Sequence, residues 1–470
     1  MTAFWPLAAA AQAPPVTEPS PAPAPVLSPA GEAFLKRFAG VRFFGGGALN
    51  WRNVGPKEPG FETQIQDQVY LSELYLGAEI PAHEKTPFFI EWTMPTSKQG
   101  AVELNQMFVE YNGQRRLKLQ GGKFLVPFGR YNELYRADQY LAVTRPLLYA
   151  SPDGLDLVVR PNSPRPPVSN GYADVGARLS WYPVVVHPLV PVELTAFVVN
   201  GIGESKNRLR TFPNPQNLGI PGPSTNGVQP DFGHANNNLA DNNNAKSGGG
   251  RIVFALGDLR LPWPFPERSA DDSGVLLGLS GMGGQYDLEG QLNYHLLSAD
   301  FSFEYKGVGL SGEFMYSRNQ FLAPLMVSST TASNATLRSP IQQSRQAEQI
   351  YGYFVQAVFP LLRAPPVGER VAGVLVFNRL YRRGPLLDFL LNYNDGSNTF
   401  ESLVAYRPEA PFVTRHIDKY TAGVHWKLSR RFAAKFDYSY WVMGKSTVRS
   451  PTSLGLNDIY QGALSLVVGF

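Results

Sequence analysis

The chain has 470 residues, 43% of them hydrophobic and only 17% charged, with 42 Lys and Arg against 38 Asp and Glu for a formal charge of +4. That charged fraction lies well below the roughly 25% usual in soluble domains; with 45 Gly, 40 Pro, 29 Phe and 22 Tyr it suits short strands and turns and excludes a fold of long soluble helices. No apolar run approaches the roughly 18 to 20 residues of a membrane-crossing helix, the absence of cysteine removes disulfides, thiolate metal sites and cysteine nucleophiles, and no basic run marks a nucleic-acid surface.

Residues 1–13 end in Ala11-Gln12-Ala13, the small-x-small form of a signal-peptidase site, without a basic region before it. They read either as a clipped export signal or as an alanine-rich terminus. Residues 14–37 carry Pro at 14, 15, 19, 21, 23, 25 and 29 and read as an extended linker. A short helix over 29–38, capped by Ser28, and a disordered tail are both compatible with the last part.

From about residue 38 to 470 the repeating signal is alternation over about ten residues between turn signals. Asp174, Gly176, Arg178 and Ser180 alternate with Val175, Ala177, Leu179 and Trp181; Lys419, Thr421, Gly423, His425 and Lys427 alternate with Tyr420, Ala422, Val424, Trp426 and Leu428. Sixteen strands are predicted, near 39–52, 67–80, 87–94, 102–111, 116–126, 172–182, 190–200, 250–260, 274–286, 291–305, 307–318, 350–359, 368–380, 417–428, 431–442 and 458–470. The one near 368–380 is the weakest, because both its faces are apolar. A soluble sandwich with one wet face would alternate in the same way. Three features favour a transmembrane barrel instead: greasy parities rich in Trp and Tyr, charges in mid-strand on the wet parity, and connections that are mostly short after even-numbered strands, the longest near 262–273, and long after the fifth, seventh, eleventh and thirteenth. The expected fold is therefore an all-β, transmembrane antiparallel β-barrel of about 16 strands, in the bacterial outer membrane, with short periplasmic turns, long extracellular loops and both termini periplasmic. The last strand ends at Phe470 with Val468, Leu466 and Leu464 on the same parity, and looks like the assembly signal read by the barrel-insertion machinery.

Residues 121–129, GGKFLVPFG, follow a strand pair and precede a long third loop. Gly122, Phe124, Pro127, Phe128 and Gly129 give the segment a Gly-x-Phe-x-x-Pro-Phe-Gly form that resembles the phosphate-selective (O/P-like) porin family. The resemblance implies a homotrimeric diffusion channel with the third loop folded into the lumen. It does not imply phosphate as solute, because the family's lumenal Arg and Lys positions cannot be aligned one by one with this chain.

That loop, 127–170, is too long for a plain connection, and its apolar residues, among them Leu141, Val143, Leu147 and Leu148, argue for packing against the wall. It carries Arg130, Arg136, Arg145, Arg160 and Arg165 against Glu133, Asp138, Asp153 and Asp156. Two readings stand: a constriction whose Arg side chains face acidic wall residues across a narrow opening, or an outward loop held by its own ion pairs. On the wet parity, Arg116, Lys118 and Lys123 sit with Arg178, while Glu73, Glu79, Glu91 and Glu110 are acidic; opposed rows of charge would set up a transverse field. The strand-five cations beside the loop base lean the selectivity towards anions. The segment 201–249, with its Asn and Gly runs, reads as mobile and extracellular, and Asn394-Asp395-Gly396 as a β-turn rather than a calcium loop. The six His residues show no catalytic spacing, so no reaction and no cofactor are expected. Outer-membrane lipid and lipopolysaccharide are the expected surroundings. The function expected is passive diffusion of small hydrophilic solutes through a water-filled pore, the alternative being a barrel that sheaths or docks a partner protein.

Overall fold

In the computed structural model sixteen antiparallel strands close into one barrel, in the order β1-β18-β17-β16-β15-β14-β11-β10-β9-β8-β7-β6-β5-β4-β3-β2. The structure describes residues 40–55, 67–83, 85–95, 102–113, 117–149, 167–168, 170–187, 190–202, 246–257, 274–285, 292–305, 307–321, 326–330, 336–340, 347–363, 370–383, 416–429, 431–443 and 459–469. The first half of the wall is β1 (Arg42–Gly55), β2 (Asp67–His83), β3 (Thr86–Pro95), β4 (Glu103–Asn112), β5 (Leu117–Leu125), β6 (Ala173–His187), β7 (Val190–Val199) and β8 (Ser247–Gly257). The second half is β9 (Gly274–Gln285), β10 (Leu292–Tyr305), β11 (Val308–Phe321), β14 (Ala347–Arg363), β15 (Arg370–Arg383), β16 (His416–Lys427), β17 (Phe432–Met443) and β18 (Ile459–Gly469). Closure joins β1 to β18, from Gly46 opposite Gly469 to Gly55 opposite Tyr460. All sixteen predicted wall strands are present, with edges moved by a few residues. A small hairpin, β12 (Met326–Thr330) with β13 (Thr336–Pro340), lies in the connection after β11 and was not predicted; five-residue segments give too short a run of alternation to register.

The alternation sorts the two faces as a membrane barrel requires and a soluble barrel does not. On β6, Asp174, Arg178 and Ser180 are buried inside while Leu179 and Trp181 are exposed outside. On β16 and β17, Lys419, Thr421, Lys435, Asp437 and Ser439 are buried, and Tyr420, Val424, Trp426, Phe436 and Tyr438 are exposed. Connections also alternate: 84–85, 113–116, 188–189 and 306–307 are short, whereas 126–172, 200–246 and 384–415 are long. Exposed aromatics mark both ends, with Tyr111, Trp181, Tyr305 and Trp426 near the short turns and Trp92, Tyr420 and Tyr460 towards the long connections.

The doubly apolar β15 has a local cause. Its inward Val374, Val376 and Leu380 belong to a buried cluster with Leu147 and Leu148 of the loop after β5, together with Ile417 and Trp441 of neighbouring strands. The inner face of β15 is greasy because protein covers it there.

One strand breaks its period. Leu117 and Leu119 face outwards on β5, yet Lys123, of the same parity, is only 2% exposed. Gly122 sits at φ 128 between them, a left-handed conformation open to glycine, and resets the strand so that Lys123 joins the inner face. Its Nζ donates to the Leu104 carbonyl at 2.7 Å. A Cβ on Gly122 would lie 2.4 Å from the Met107 carbonyl oxygen. Gly122→Ala is expected to cost about 1–3 kcal/mol through this crowding and the strained backbone, read as a lower denaturant midpoint of the folded barrel.

The N-terminal segments 1–13 and 14–37, residues 150–166 of the long loop with Asp153, Asp156, Arg160 and Arg165, most of 201–249, and Asn394-Asp395-Gly396 lie outside the described residues, as do Arg116 and Phe470.

Candidate functional site

After Leu125 the chain turns inwards. The Val126 N–H donates to the Tyr172 carbonyl at 2.9 Å, joining the two ends of the long connection. Asn132 locks them: its Nδ2 donates to the carbonyls of Val126 (2.9 Å) and Tyr172 (3.0 Å), and its Oδ1 accepts from Tyr172 N–H at 2.7 Å. Phe124, Val126 and Phe128 are buried, and Gly129, at φ 70, caps a single helical turn, α1 (Arg130–Glu133). A Cβ at Gly129 would fall 2.0 Å from both Glu313 Oε1 and Tyr149 Oη. The glycines and aromatics of the 121–129 segment thus shape the entry of the loop into the lumen.

The loop is held by charged wall residues acting on its backbone and hydroxyls. Glu313 on β11 accepts from Tyr131 N–H (3.2 Å) and Tyr149 Oη–H (2.5 Å). Asp437 on β17 accepts from the N–H groups of Val143 (2.8 Å) and Thr144 (2.9 Å) and from the Thr144 hydroxyl (3.2 Å). Glu73 on β2 accepts from Ala137 N–H and from Arg145 Nη2, each at 3.1 Å. Glu91 on β3 takes the Arg136 guanidinium, the Tyr135 hydroxyl and the Asn105 amide. Cations work in the opposite sense: Lys419 Nζ donates to the Arg145 carbonyl (3.1 Å), and Lys435 Nζ to the carbonyls of Ala137 and Tyr140. Asn378 on β15 accepts from Leu147 N–H at 3.3 Å, and Ser280 on β9 from Gly129 N–H at 3.0 Å. Charge-assisted bonds are the stronger kind, and they answer the cost of burying these ions.

The sequence-predicted site residues separate into groups. The expected opening between loop Arg and acidic wall residues is closed at Arg136 and Glu91: they form an ion pair whose side chains are 4% and 0% exposed, flanked by the rings of Phe44 and Tyr75. Lys123 is likewise covered. The cause is the depth to which the loop is drawn onto the wall, leaving no water layer at these contacts. Arg145 is partly open, between Glu73 and the Tyr140 ring. Lys118 pairs with Glu110 at 3.2 Å, and Glu110 also accepts from Gln120. Arg178 lies within 4 Å of Glu133 (3.9 Å) and Glu193 (3.8 Å). Arg130 is half-buried on α1. Leu464, Leu466 and Val468 are exposed on the outer face of β18. Asn132 and Asn378 were missed; neither carries a charge or a motif, and their partners are fixed only by the fold.

Glu133, on α1, lies 3.9 Å from the Arg178 guanidinium. Burial raises its pKa above the ordinary carboxylate value, and Arg251 and Arg178 offset part of that rise.

Breaking the Arg136–Glu91 pair strands a buried carboxylate, which typically costs about 3–5 kcal/mol. Arg136→Leu is expected to free the loop and expose Tyr131, Tyr135 and Tyr140 to chymotrypsin, whereas Arg136→Leu with Glu91→Leu restores much of the resistance.

No family model matches the chain, and no curated protein matches it. Among solved structures it is similar to the anion-selective porin of Comamonas acidovorans, with 11% identity and a TM-score of 0.48 over 92% of this chain and 99% of that one. It is also similar to OprB of Pseudomonas putida (11% identity, TM-score 0.47, 94% of this chain and 96% of that one) and to the outer membrane channel DcaP of Acinetobacter baumannii (8%, 0.46, 92% and 97%). Likeness at this level bears on neither activity nor selectivity.

Proposed function

We propose that the chain is an outer-membrane porin, a water-filled channel for passive diffusion of small hydrophilic solutes. The observation that carries this reading is a closed sheet with charge inside, hydrocarbon outside and its own long loop clamped across the lumen. An apolar outer band edged by aromatics is what a bilayer demands of a barrel, and an in-folded loop is a means of narrowing a pore. The same loop argues against the sheath reading, because it fills space that a partner would need. Residues 127–170 act as the constriction, with Arg145, Arg130, Glu133 and Lys118 as partly open charged groups and Arg178 buried behind Glu133. Homotrimeric assembly, periplasmic termini, insertion through Phe470, Val468, Leu466 and Leu464, and membership of the phosphate-selective family belong to this reading. The Gly122 to Gly129 segment supports the last of these.

Both charge signs line the lumen, so discrimination between ions is weak. A lean to anions rests on Lys118 and the cations around the loop base, and is reduced by the pairing of Lys118 with Glu110.

Single-channel recording of the purified protein in a planar bilayer tests the reading. Conductance in groups of three equal steps is expected, with Glu73→Gln and Arg145→Ala each enlarging the step or making it noisy as the loop loosens. Folded, heat-modifiable protein with no conductance would sink it.

Glu133 supplies a signed pH effect. Its raised pKa means that it binds a proton at a pH above that of an exposed carboxylate. Acidification therefore removes a negative charge from the lumen early, and the reversal potential in a salt gradient shifts towards anions. Glu133→Gln should produce that shift at neutral pH and flatten the dependence.

A further inference from the structure

On β15 the outer face runs Leu375, Phe377, Arg379, while Val376, Asn378 and Leu380 between them are buried inside and Asn378 holds the loop. Arg379 therefore points away from the lumen. Asp418, its ladder partner on β16, shares the outer face, because Lys419 beside it reaches the Arg145 carbonyl within. The two make a bidentate pair, Nε to Oδ1 and Nη2 to Oδ2, both at 2.6 Å. The arginine side chain is 44% exposed and the aspartate 8%. The carboxylate is thus covered by the guanidinium, whose far edge stays open. A guanidinium has five N–H donors, and this pair engages two.

Such an edge is costly against hydrocarbon, which offers no acceptor. Its position limits what can meet it. Arg379 lies near the end of β15 at Arg383, and Asp418 near the start of β16 at His416, both at the long-connection end of the wall. Tyr353 is its ladder partner on the other side, Phe377 and Tyr420 pack at 5.0 Å between ring centroids, and Tyr381 stacks on His416 closer to the rim. Aromatic rings of this kind sit at headgroup level. Arg318 on β11, opposite His295, faces outwards at the same end. At the short-turn end the outward positions Tyr111, Trp181, Tyr305 and Trp426 are uncharged.

We infer that Arg379, buttressed by Asp418 and walled by Tyr353 and Tyr420, is a site on the outer face of the barrel for the phosphate of a lipid headgroup in the leaflet at the long-connection end. The planar fork matches phosphate oxygens, and the aspartate fixes its orientation before the lipid arrives. The inference rests on the membrane-spanning reading above.

The test uses the purified full chain in a phosphate-free detergent, titrated with phosphatidic acid or with the diacylglycerol of the same chains, bound lipid being read by native mass spectrometry. The wild type is expected to retain phosphatidic acid in preference to diacylglycerol. Arg379→Gln with Asp418→Asn, which leaves no unpaired carboxylate, should weaken retention about tenfold. Arg379→Lys, which keeps the charge and loses the fork, should fall between, and it carries the test if the double variant does not give a heat-modifiable barrel. Leu279→Gln, elsewhere on the outer face, should behave as wild type. Equal retention by the variants, equal binding of diacylglycerol, or displacement by equimolar inorganic phosphate would each overturn the inference. So would loss of oligomeric state with unchanged lipid retention, which would make the face a contact between copies. Conductance recorded on the same samples separates the two levels: failure of the wild type to insert sinks the channel reading, whereas normal conductance with unchanged lipid retention sinks only the site.

Discussion

A sheet that turns its polar face inwards and its apolar face outwards has no stable open form, since an open edge would leave a row of backbone donors and acceptors unmet in a medium without water. The pairing of β1 with β18 is therefore the contact on which the rest depends. Once the ring is shut, every wall strand is bonded on both sides, and side chains need only obey the two-residue period. The apolar outer face then becomes a solvent match rather than a liability.

Closure alone would leave a lumen lined with charge, and the loop after β5 changes that interior. Its apolar residues build a core inside the barrel with Val374, Val376, Leu380 and Trp441, while its backbone is met by carboxylates and lysines from β2, β11, β16 and β17. Glu313 and Asp437 satisfy N–H groups that would otherwise be orphaned in a non-helical segment, and Lys435 does the same for carbonyls. Much of the wall's charge thus orders the loop and is withdrawn from solute. The ions left partly open are few, Arg145 and Glu133 among them. In the proposed channel, anchoring and selectivity would share one set of residues, so changes made to alter one would disturb the other.

The outer surface is no more uniform than the inner one. Short-turn and long-connection ends both carry aromatics, but Arg318, Arg379 and His416 gather at the latter. A charge in mid-bilayer is expensive and becomes tolerable near the interface. Arg379 lies near the strand ends, and its bidentate pairing with Asp418 holds it in one orientation.

Strand number, the order of long and short connections and the face each residue takes could be read from the chain, because a period of two and a turn signal are local properties. The in-folding of the third loop was legible only through resemblance and through Leu147 and Leu148, which needed something to pack against. Its attachments were not. Asp437 meets Val143, Asn378 meets Leu147 and Glu313 meets Tyr131 across 182 to 294 residues, and no spacing rule links such positions. Lys123 was read on the wet face and lies inside, but strict alternation from Leu117 and Leu119 does not put it there; Gly122, by one positive φ, does. Arg136 and Glu91 were recognisable as opposite charges, but whether water lay between them depended on how closely the loop was drawn to the wall. The sequence by itself determined a closed barrel and its two faces, since these follow from local period and composition. The tertiary structure decided which charges are buried ties and which remain open, because burial is set by what packs on a residue from far along the chain.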